Sequence, residues 1–200
     1  MFDVLIIGGG AAGMSCALVL GSAQNKAFAA DKKIGIVMHQ KASHLQTALF
    51  NNVLGLTPGT TGQTILDDGI EQLRSLYPHV TQIAKEKVLA ITKSDNCFTV
   101  STNKQIYTSK LVVVAVGYTN LITIKGLESY IETHPRALVE KERIWLKNTH
   151  HLITEGLYVA GTLAGWRSQF AIASGSGAQV ATDILTLWND GQDAQVHDKI

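Results

Sequence analysis

Cysteine is scarce in this chain of 200 residues, since only Cys16 and Cys97 occur and no Cys-x-x-Cys motif is present. A dithiol redox pair and a cysteine-based zinc site are therefore excluded, because each needs closely spaced thiols. Cys16 lies in a predicted helix and Cys97 on a predicted strand, which is typical of buried thiols that stay reduced. The cysteine usage predicts a cytoplasmic protein without a thiol relay of its own.

The chain also lacks an excess of charge, since 17 lysines and arginines stand against 16 aspartates and glutamates. No basic run exceeds two residues, which excludes an electrostatic footprint for nucleic acid or for an anionic membrane. No apolar run approaches the roughly 20 residues that span a bilayer, and Asp3 followed by Gly8 to Gly10 argues against an export signal. We expect one globular domain, 46% hydrophobic, whose partner is a small molecule.

Glycine is abundant, with 18 residues, and three glycines follow an apolar run at the start of the chain. Val4 to Ile7 are strand formers, and Gly8, Gly10 and Gly13 come next in Gly-x-Gly-x-x-Gly spacing. A strand that runs into such a turn and then into a helix, here 11–23, is typical of a dinucleotide-binding βαβ unit.

Each glycine of this turn has a separate expected role. Gly8 allows the tight turn, Gly10 leaves room for phosphates, and Gly13 lets the helix lie close on the strand. The phosphates are predicted to bind at the start of the helix, at Ala11 and Ala12, where backbone N–H groups and the helix dipole attract them. A glycine turn without a ligand is the alternative.

Two later apolar strands also end on glycine, as buried parallel strands do when they reach a ligand cleft. We expect an α/β fold with a Rossmann-like parallel sheet and a β-meander insertion. Strands are predicted at 4–7, 33–39, 87–92, 97–102, 105–107, 111–117 and 156–161, and helices at 11–23, 63–76 and 168–188.

The domain organisation is expected to be simple. One domain spans 1–188, and a polar, frayed tail follows over 189–200. The segment 118–155 is expected to be irregular, with one edge strand or a short helix over 140–146. Asp67, Asp68 and Glu71 are interpreted as acidic residues at a helix start, and 85–87 as a solvated turn.

The combination of these strands resembles the FAD domain of the two-dinucleotide-binding flavoproteins, in particular the thioredoxin reductase-like branch. The matching segments are 8–13 for the FAD pyrophosphate, Ala115-Val116-Gly117 for an Ala-Thr-Gly turn, and 156–162 for the late flavin motif. Asn52-Val53-Leu54-Gly55 and Thr61-Gly62 resemble the segment beside the isoalloxazine.

The resemblance implies FAD as cofactor and an FAD-dependent oxidoreductase that transfers electrons between the flavin and a small-molecule or protein donor or acceptor. It places adenosine along 8–13 and at His39 and Gln40, and flavin beside a second group of residues. That group is Asn52, Ala115, Val116, Gly117, Gly161, Thr162, Arg167, Gln169 and Phe170.

The sequence departs from the family pattern at several points. The end of the second strand carries His39-Gln40 where an acidic residue usually binds the ribose, and Thr162 stands where an aspartate usually meets a ribityl hydroxyl. The second dinucleotide domain that the family places before the late motif is replaced by 118–155, and the dithiol is missing. Thioredoxin reduction is therefore not expected.

Few side chains are candidates for chemistry, so the site residues are predicted to bind rather than to react. His44 is a candidate proton relay or substrate contact, with a solvated loop histidine as the alternative. Trp166 and Arg167 are candidates for stacking and for an anion, or for surface packing. His150-His151 lacks a third metal ligand at suitable spacing, so no metal site is predicted.

Three alternatives stay open. The chain is a non-catalytic flavin- or nucleotide-binding module, such as a sensor or a subunit of a redox complex, or it binds NAD(P) at the same turn, or the fold has lost its flavin. The apolar faces of the meander also leave a homodimer open.

Overall fold

A mostly parallel sheet organises the chain in the computed structural model, which describes residues 1–39, 43–119 and 123–197, apart from the side chain of His44. Within these residues the strands are β1 (Phe2–Ile7), β2 (Ile34–Met38), β3 (Leu49–Phe50), β4 (Thr60–Thr61), β5 (Thr81–Ala84), β6 (Val88–Ser94), β7 (Cys97–Thr102), β8 (Ile106–Val114), β9 (Ile131–Thr133), β10 (Ile144–Leu146), β11 (Leu152–Thr154) and β12 (Leu157–Val159). The helices are α1 (Ala11–Ser22), α2 (Gly62–Leu76) and α3 (Phe170–Trp188).

The main sheet has the order β11-β12-β8-β1-β2-β5. The strands β12, β8, β1, β2 and β5 run parallel to one another, and β11 pairs antiparallel with β12. A meander of β6, β7 and the first part of β8 extends the sheet, because β7 pairs antiparallel with β8. The predicted Rossmann-like sheet with a β-meander is therefore confirmed.

The two faces of the sheet explain the unbroken apolar runs of its strands. In β1, Val4 and Ile6 pack against α1 and α3, while Leu5 and Ile7 pack against the meander on the other face. All four side chains are buried. A strand covered on both faces needs apolar residues at every position, which is why β1 shows no alternation.

The β8 strand differs from its prediction. Two separate strands were expected at 105–107 and 111–117, whereas one strand runs from Ile106 to Val114. Its first part pairs with β7 and its second part with β1, so one continuous strand takes part in both the meander and the parallel sheet. The strand also ends before Ala115, Val116 and Gly117, which form the following turn.

Two further predictions about charged residues are wrong. The helix α2 begins at Gly62 with Thr61 as its cap, so Asp67 lies beyond the first turn and its Oδ1 accepts a hydrogen bond from Gln63 Nε2 at 2.9 Å. Glu86, expected in a solvated turn, is 5% exposed. Burial alone would raise the pKa of the Glu86 carboxyl group. The hydrogen bonds that Thr102 and Tyr107 donate to it outweigh this effect, so the pKa lies below its ordinary value.

The segment between β8 and β12 is more ordered than expected. It forms an antiparallel pair, β9 with β10, together with β11 and two short 3₁₀ turns. The predicted edge strand or helix over 140–146 thus corresponds to a 3₁₀ turn at Val139–Lys141 followed by β10. We refer to Ile131–Leu146 as the hairpin.

The β5 strand was not predicted, and the predicted C-terminal tail is better packed than expected. Thr81–Ala84 pairs with β2 at the edge of the sheet, where a half-buried strand needs few apolar residues. The tail does not fray as expected in its described part, because Ala194 is buried in the main core and Val196 packs against it. No helix within the described residues is both long and apolar enough to cross a membrane.

Candidate FAD site

Three chain segments meet at the carboxyl ends of the parallel strands. Gly8 N–H donates to Val37 O at 2.9 Å, Ala115 N–H donates to Ile7 O at 2.8 Å, and Ala160 N–H donates to Val114 O at 2.9 Å. Each bond joins the residue after one strand to the end of its neighbour. The turns that follow β1, β8 and β12 therefore lie side by side at one edge of the sheet, where α/β folds bind their ligands.

The glycine turn, residues 8–13, is held by close backbone contacts. Gly8 has a φ of 117°, and a Cβ at this position would lie 2.4 Å from Ala115 O. A Cβ at Gly13 would lie 1.8 Å from Gly8 O. Only glycine allows these approaches, so the turn, the start of α1 and the end of β8 are fixed relative to one another by the absence of side chains.

Gly10 has a different environment from the other two glycines. It is the N-cap of α1 in an extended conformation, and no side chain caps the helix. The nearest atom that a Cβ at Gly10 would meet is Ser43 Oγ, at 4.0 Å. The first turn of α1 therefore has backbone N–H groups without a side-chain cap beside open space, which is the arrangement that binds a phosphate.

The turn after β12 packs directly against the start of α1. We call residues 161–165 the late turn; Gly161 to Ala164 form its 3₁₀ helix, and Gly165 follows with a φ of 91°. A Cβ on Gly161 would lie 3.0 Å from Ala12 Cβ, and one on Gly177 of α3 would lie 1.9 Å from Ala12 O. The late turn and α3 thus bring the second predicted flavin segment against the predicted phosphate site.

A cavity of about 410 Å³ opens beside the glycine turn. Its lining includes Gly9, Gly10 and Ala11 of the glycine turn, residues of α1 and α2, and Phe170. The Phe170 ring also packs against Phe50, with ring centroids 5.1 Å apart. The structure therefore brings Phe170, at the start of α3, into the same space as the glycine turn.

The remaining predicted residues are less closely grouped. Val116 is half-buried and Gly117 is exposed in the turn after β8, with open space around Gly117. Thr162 is half-buried within the late turn, and His39 is exposed after β2. Three more predicted residues are exposed outside the helices and strands: Asn52, Arg167 and Gln169. Gln40 and the side chain of His44 lie outside the described residues.

Sequence reasoning missed three side chains that hold the late turn. His134 Nε2 lies 3.0 Å from Thr162 O, Arg136 donates to Gly165 O at 2.6 Å, and Asn148 Nδ2 donates to Ala164 O at 3.2 Å. His134 and Arg136 belong to the hairpin, and Asn148 follows it. No periodicity or motif marks them in the sequence, because their role depends on a tertiary contact with the late turn.

A second group of polar side chains reaches the late turn through α3. Gly161 N–H donates to Ser176 Oγ at 2.8 Å, and His151 Nε2 lies 2.9 Å from the same oxygen. Trp166 Nε1–H donates to His151 Nε2 at 3.0 Å, so this nitrogen acts as an acceptor in a neutral ring. Burial lowers the pKa of His151; nearby Asp183 opposes this shift, and His150 adds to it.

The two adjacent histidines border a separate cavity of about 650 Å³ against α3. Both have left-handed backbone conformations, with φ values of 48° for His150 and 70° for His151. Among the described residues no cluster of three or more His, Cys, Asp or Glu side chains has metal-binding geometry. The ring of His151 serves instead to connect Trp166 with Ser176.

Comparison with known proteins identifies a family. The family described as pyridine nucleotide-disulphide oxidoreductase matches residues 2–170 of the chain. The ferredoxin–NADP reductase of Limosilactobacillus fermentum is 35% identical over 117 residues, which cover 58% of this chain and 34% of that protein. The corresponding enzyme of Streptococcus agalactiae is 27% identical over 140 residues, covering 67% and 41%.

Solved structures show the same fold. A thioredoxin reductase from Gloeobacter violaceus has a TM-score of 0.75 at 14% identity, with 100% of this chain and 98% of that chain covered. A ferredoxin-flavin thioredoxin reductase from Clostridium acetobutylicum has a TM-score of 0.68 at 17% identity, covering 94% and 98%. The homologues are FAD-binding flavoproteins, in agreement with the predicted cofactor.

Proposed function

We propose, because this chain belongs to the pyridine nucleotide-disulphide oxidoreductase family, that it is an FAD-dependent oxidoreductase of the thioredoxin reductase-like type. The observation that carries the proposal is the meeting of the glycine turn, Ala115 and the late turn at one edge of the sheet. The chain spans about a third to two fifths of the length of the curated relatives it matches. The activity of those whole proteins therefore serves here as a guide to the class of reaction.

The residues of this edge fit FAD. The open space at Gly10 and the uncapped first turn of α1 suit its pyrophosphate. His39 lies at the end of β2, where the ribose of a dinucleotide meets a Rossmann sheet. We assign Thr162 of the late turn and Phe170 at the start of α3 to the flavin half of the site. Bound FAD supplies the hydride and electron chemistry, while these residues supply binding and orientation.

We propose a separate electron donor and acceptor, each a small molecule or another protein. Between β8 and β11 the described chain contains the hairpin and short turns, which leaves no second dinucleotide fold within this segment. The two cysteines form no Cys-x-x-Cys motif, and burial raises the pKa of the Cys16 thiol, which opposes a thiolate role. Electrons must therefore enter and leave through the flavin itself.

One observation favours a second candidate function, a non-catalytic nucleotide-binding module. Thr162 offers a neutral hydroxyl where a carboxylate would make a charge-assisted hydrogen bond. A site that binds the ribityl chain more weakly is suitable for an enzyme. It is equally suitable for a sensor, a subunit of a redox complex or an NAD(P)-binding protein. Cytoplasmic location and homodimer formation remain further proposals, the first supported by two free thiols.

The proposal is tested by titrating the purified protein with FAD and recording absorbance and fluorescence. We expect a yellow complex with bands near roughly 370 and 450 nm that releases FAD on denaturation. Protein that takes up no FAD would contradict the proposal, and uptake of NAD(P) alone would support the NAD(P)-binding alternative. Anaerobic mixing of the yellow protein with NADPH then tests whether a free dinucleotide can act as donor.

The variant Gly10→Leu locates the cofactor. Because a side chain at Gly10 meets open space, the variant should fold, but its leucine fills the phosphate position and should weaken FAD binding about 100-fold or more. Gly175→Leu is the matched control, since Gly175 also has open space around it but lies at the second cavity. Equal FAD affinity in Gly10→Leu and wild type would place the pyrophosphate elsewhere.

A further inference from the structure

Three of the five backbone carbonyl groups of the late turn accept hydrogen bonds from side chains outside it. Thr162 O and Gly165 O accept hydrogen bonds from His134 and Arg136 of the hairpin, and Ala164 O accepts one from Asn148, two residues after the hairpin. A loop of this kind ordinarily satisfies its backbone within itself or with water. These three contacts therefore hold the loop from outside.

His134, which contacts the late turn from the hairpin, is itself held in place by its neighbours. His134 is 4% exposed, and its Nδ1 accepts the backbone N–H of Arg136 at 3.1 Å. That bond leaves the proton on Nε2, so the ring is in the tautomer that donates to Thr162 O. The Tyr118 ring packs edge-on against His134, with centroids 5.3 Å apart.

Arg136 is fixed by a second contact. Its guanidinium lies over the ring of Trp166, 5.2 Å from the centroid, while it donates to Gly165 O. Trp145 of β10 packs so closely on the late turn that a Cβ at Gly165 would lie 2.8 Å from its ring. The hairpin therefore covers the carbonyl side of the late turn with both polar and apolar contacts.

The first residues of the late turn lie beside the start of α1, since a Cβ on Gly161 would lie 3.0 Å from Ala12 Cβ. In a 3₁₀ helix the first N–H groups have no partner within the helix and point away from its carbonyl end. Of these, Gly161 N–H is taken by Ser176. The following N–H groups and the Thr162 hydroxyl belong to the end of the turn that packs against the first turn of α1.

We propose that His134 and Arg136 are positioning residues for FAD, which act by holding the late turn so that its N–H groups and Thr162 face the cofactor. The inference rests on the proposed FAD function. The late turn has no carboxylate to bind the ribityl hydroxyls. Its affinity for FAD therefore depends on the turn being ordered in advance, because ordering a loop during binding costs free energy. The hairpin thus orders the late turn before FAD binds.

The test compares FAD dissociation constants of variants at Arg136. Arg136→Met keeps an apolar stem over Trp166 but loses the donor to Gly165 O, and should weaken FAD binding about tenfold with little change in the melting temperature of the FAD-free protein. Arg136→Lys retains a donor and should recover part of the affinity. Lys141→Met removes an exposed positive charge from the same hairpin and should bind FAD as wild type does.

Hydrogen exchange of residues 162–165 and the visible circular dichroism of the bound flavin provide readouts beyond affinity. In Arg136→Met the backbone amides of the late turn should exchange faster, and the flavin signal should change shape, because the turn is less ordered. Unchanged affinity and exchange would overturn the inference. An equal loss of affinity in Lys141→Met would also overturn it, since long-range charge attraction to the phosphates would then explain the effect.

A pair of variants at His134 keeps the test decisive if Arg136→Met fails to fold. His134→Gln keeps a donor for Thr162 O and should bind FAD more tightly than His134→Leu, which has none. Equal affinity in the two would overturn the inference. Wild-type protein that binds no FAD would contradict the proposed function, whereas wild-type binding with unaffected variants contradicts the positioning role alone.

Discussion

The glycine turn and the late turn follow parallel strands at the same edge of the sheet, yet different forces hold them. The glycine turn is fixed by close backbone packing. Because Gly8 and Gly13 have no side chains, their backbone atoms lie in direct contact with one another and with Ala115. The late turn is fixed by side chains from other segments, because His134, Asn148 and Ser176 form hydrogen bonds with its backbone. One turn depends on local sequence and the other on distant residues.

This difference decides what each turn can tolerate. A backbone contact between glycines leaves no alternative arrangement, so substitution must move either a helix or a strand. A turn held by several hydrogen bonds from outside can lose one of them and keep the others, so the cost is limited to the group left unpaired, about 1–3 kcal/mol. We therefore expect changes at Gly8 and Gly13 to affect the whole fold, and changes at the late turn to affect local order and ligand binding.

The largest expected effect is that of Gly13→Ala. The new Cβ would lie 1.8 Å from Gly8 O, so α1 must move away from β1, and we expect a loss of about 3 kcal/mol or more in the free energy of unfolding. Urea denaturation measures this loss. Gly175→Ala is the control, because its Cβ meets open space on a helix and should leave stability equal or slightly higher. Equal stabilities of the two variants would show that the glycine turn is not tightly packed.

A smaller effect is expected for Ser176→Ala, which acts on the late turn. The substitution leaves the buried Gly161 N–H without its acceptor at 2.8 Å, at a cost of about 1–3 kcal/mol. Ser174 is a matched control two positions away on α3, since its buried hydroxyl has no hydrogen-bond partner among the described residues. Ser174→Ala should therefore leave the urea midpoint unchanged or raise it. A similar loss in both variants would mean that Ser176 is not a specific support of the late turn.

The same contrast explains what the sequence could and could not predict. The glycine turn was predicted in detail because its spacing and the apolar run of β1 are local properties. The meander and α3 followed from short-range patterns too, although α3 begins at Phe170 rather than at 168. The sequence analysis missed strands whose formation depends on pairing with one neighbour, such as the short edge strand β5, which has two polar residues and pairs with β2.

The site shows the same limit. The proposed phosphate position rests on Gly10, whose place at the start of α1 follows from the sequence. The supports of the late turn lie at His134, Arg136 and Asn148, within a segment that has neither helical nor alternating periodicity. Their function arises only when the hairpin packs on the late turn, a contact between residues distant in the chain. Buried Glu86 was missed for the same reason, since its partners Thr102 and Tyr107 come from other strands.

The smallest expected effect is a dependence on pH that distinguishes the late turn from the glycine turn. Burial lowers the pKa of His151 below the ordinary value of 6.5, so the unfolded chain binds a proton more readily than the folded chain does. The stability that neutral His151 provides is therefore complete above that value and is lost as the pH falls towards the folded pKa. Protonation of Nε2 also removes the acceptor for Trp166 Nε1–H.

Denaturation midpoints and tryptophan fluorescence between about pH 8 and pH 5 measure this effect. Because burial also lowers the pKa of His79, the decisive quantity is the difference between wild type and His151→Gln. The variant should lose less stability at acid pH, and its Trp166 emission should change less. The groups near His151 are Asp183 and His150, and their charges enter both proteins equally. Identical pH profiles of the two proteins would show that protonation of His151 does not change the stability of the late turn.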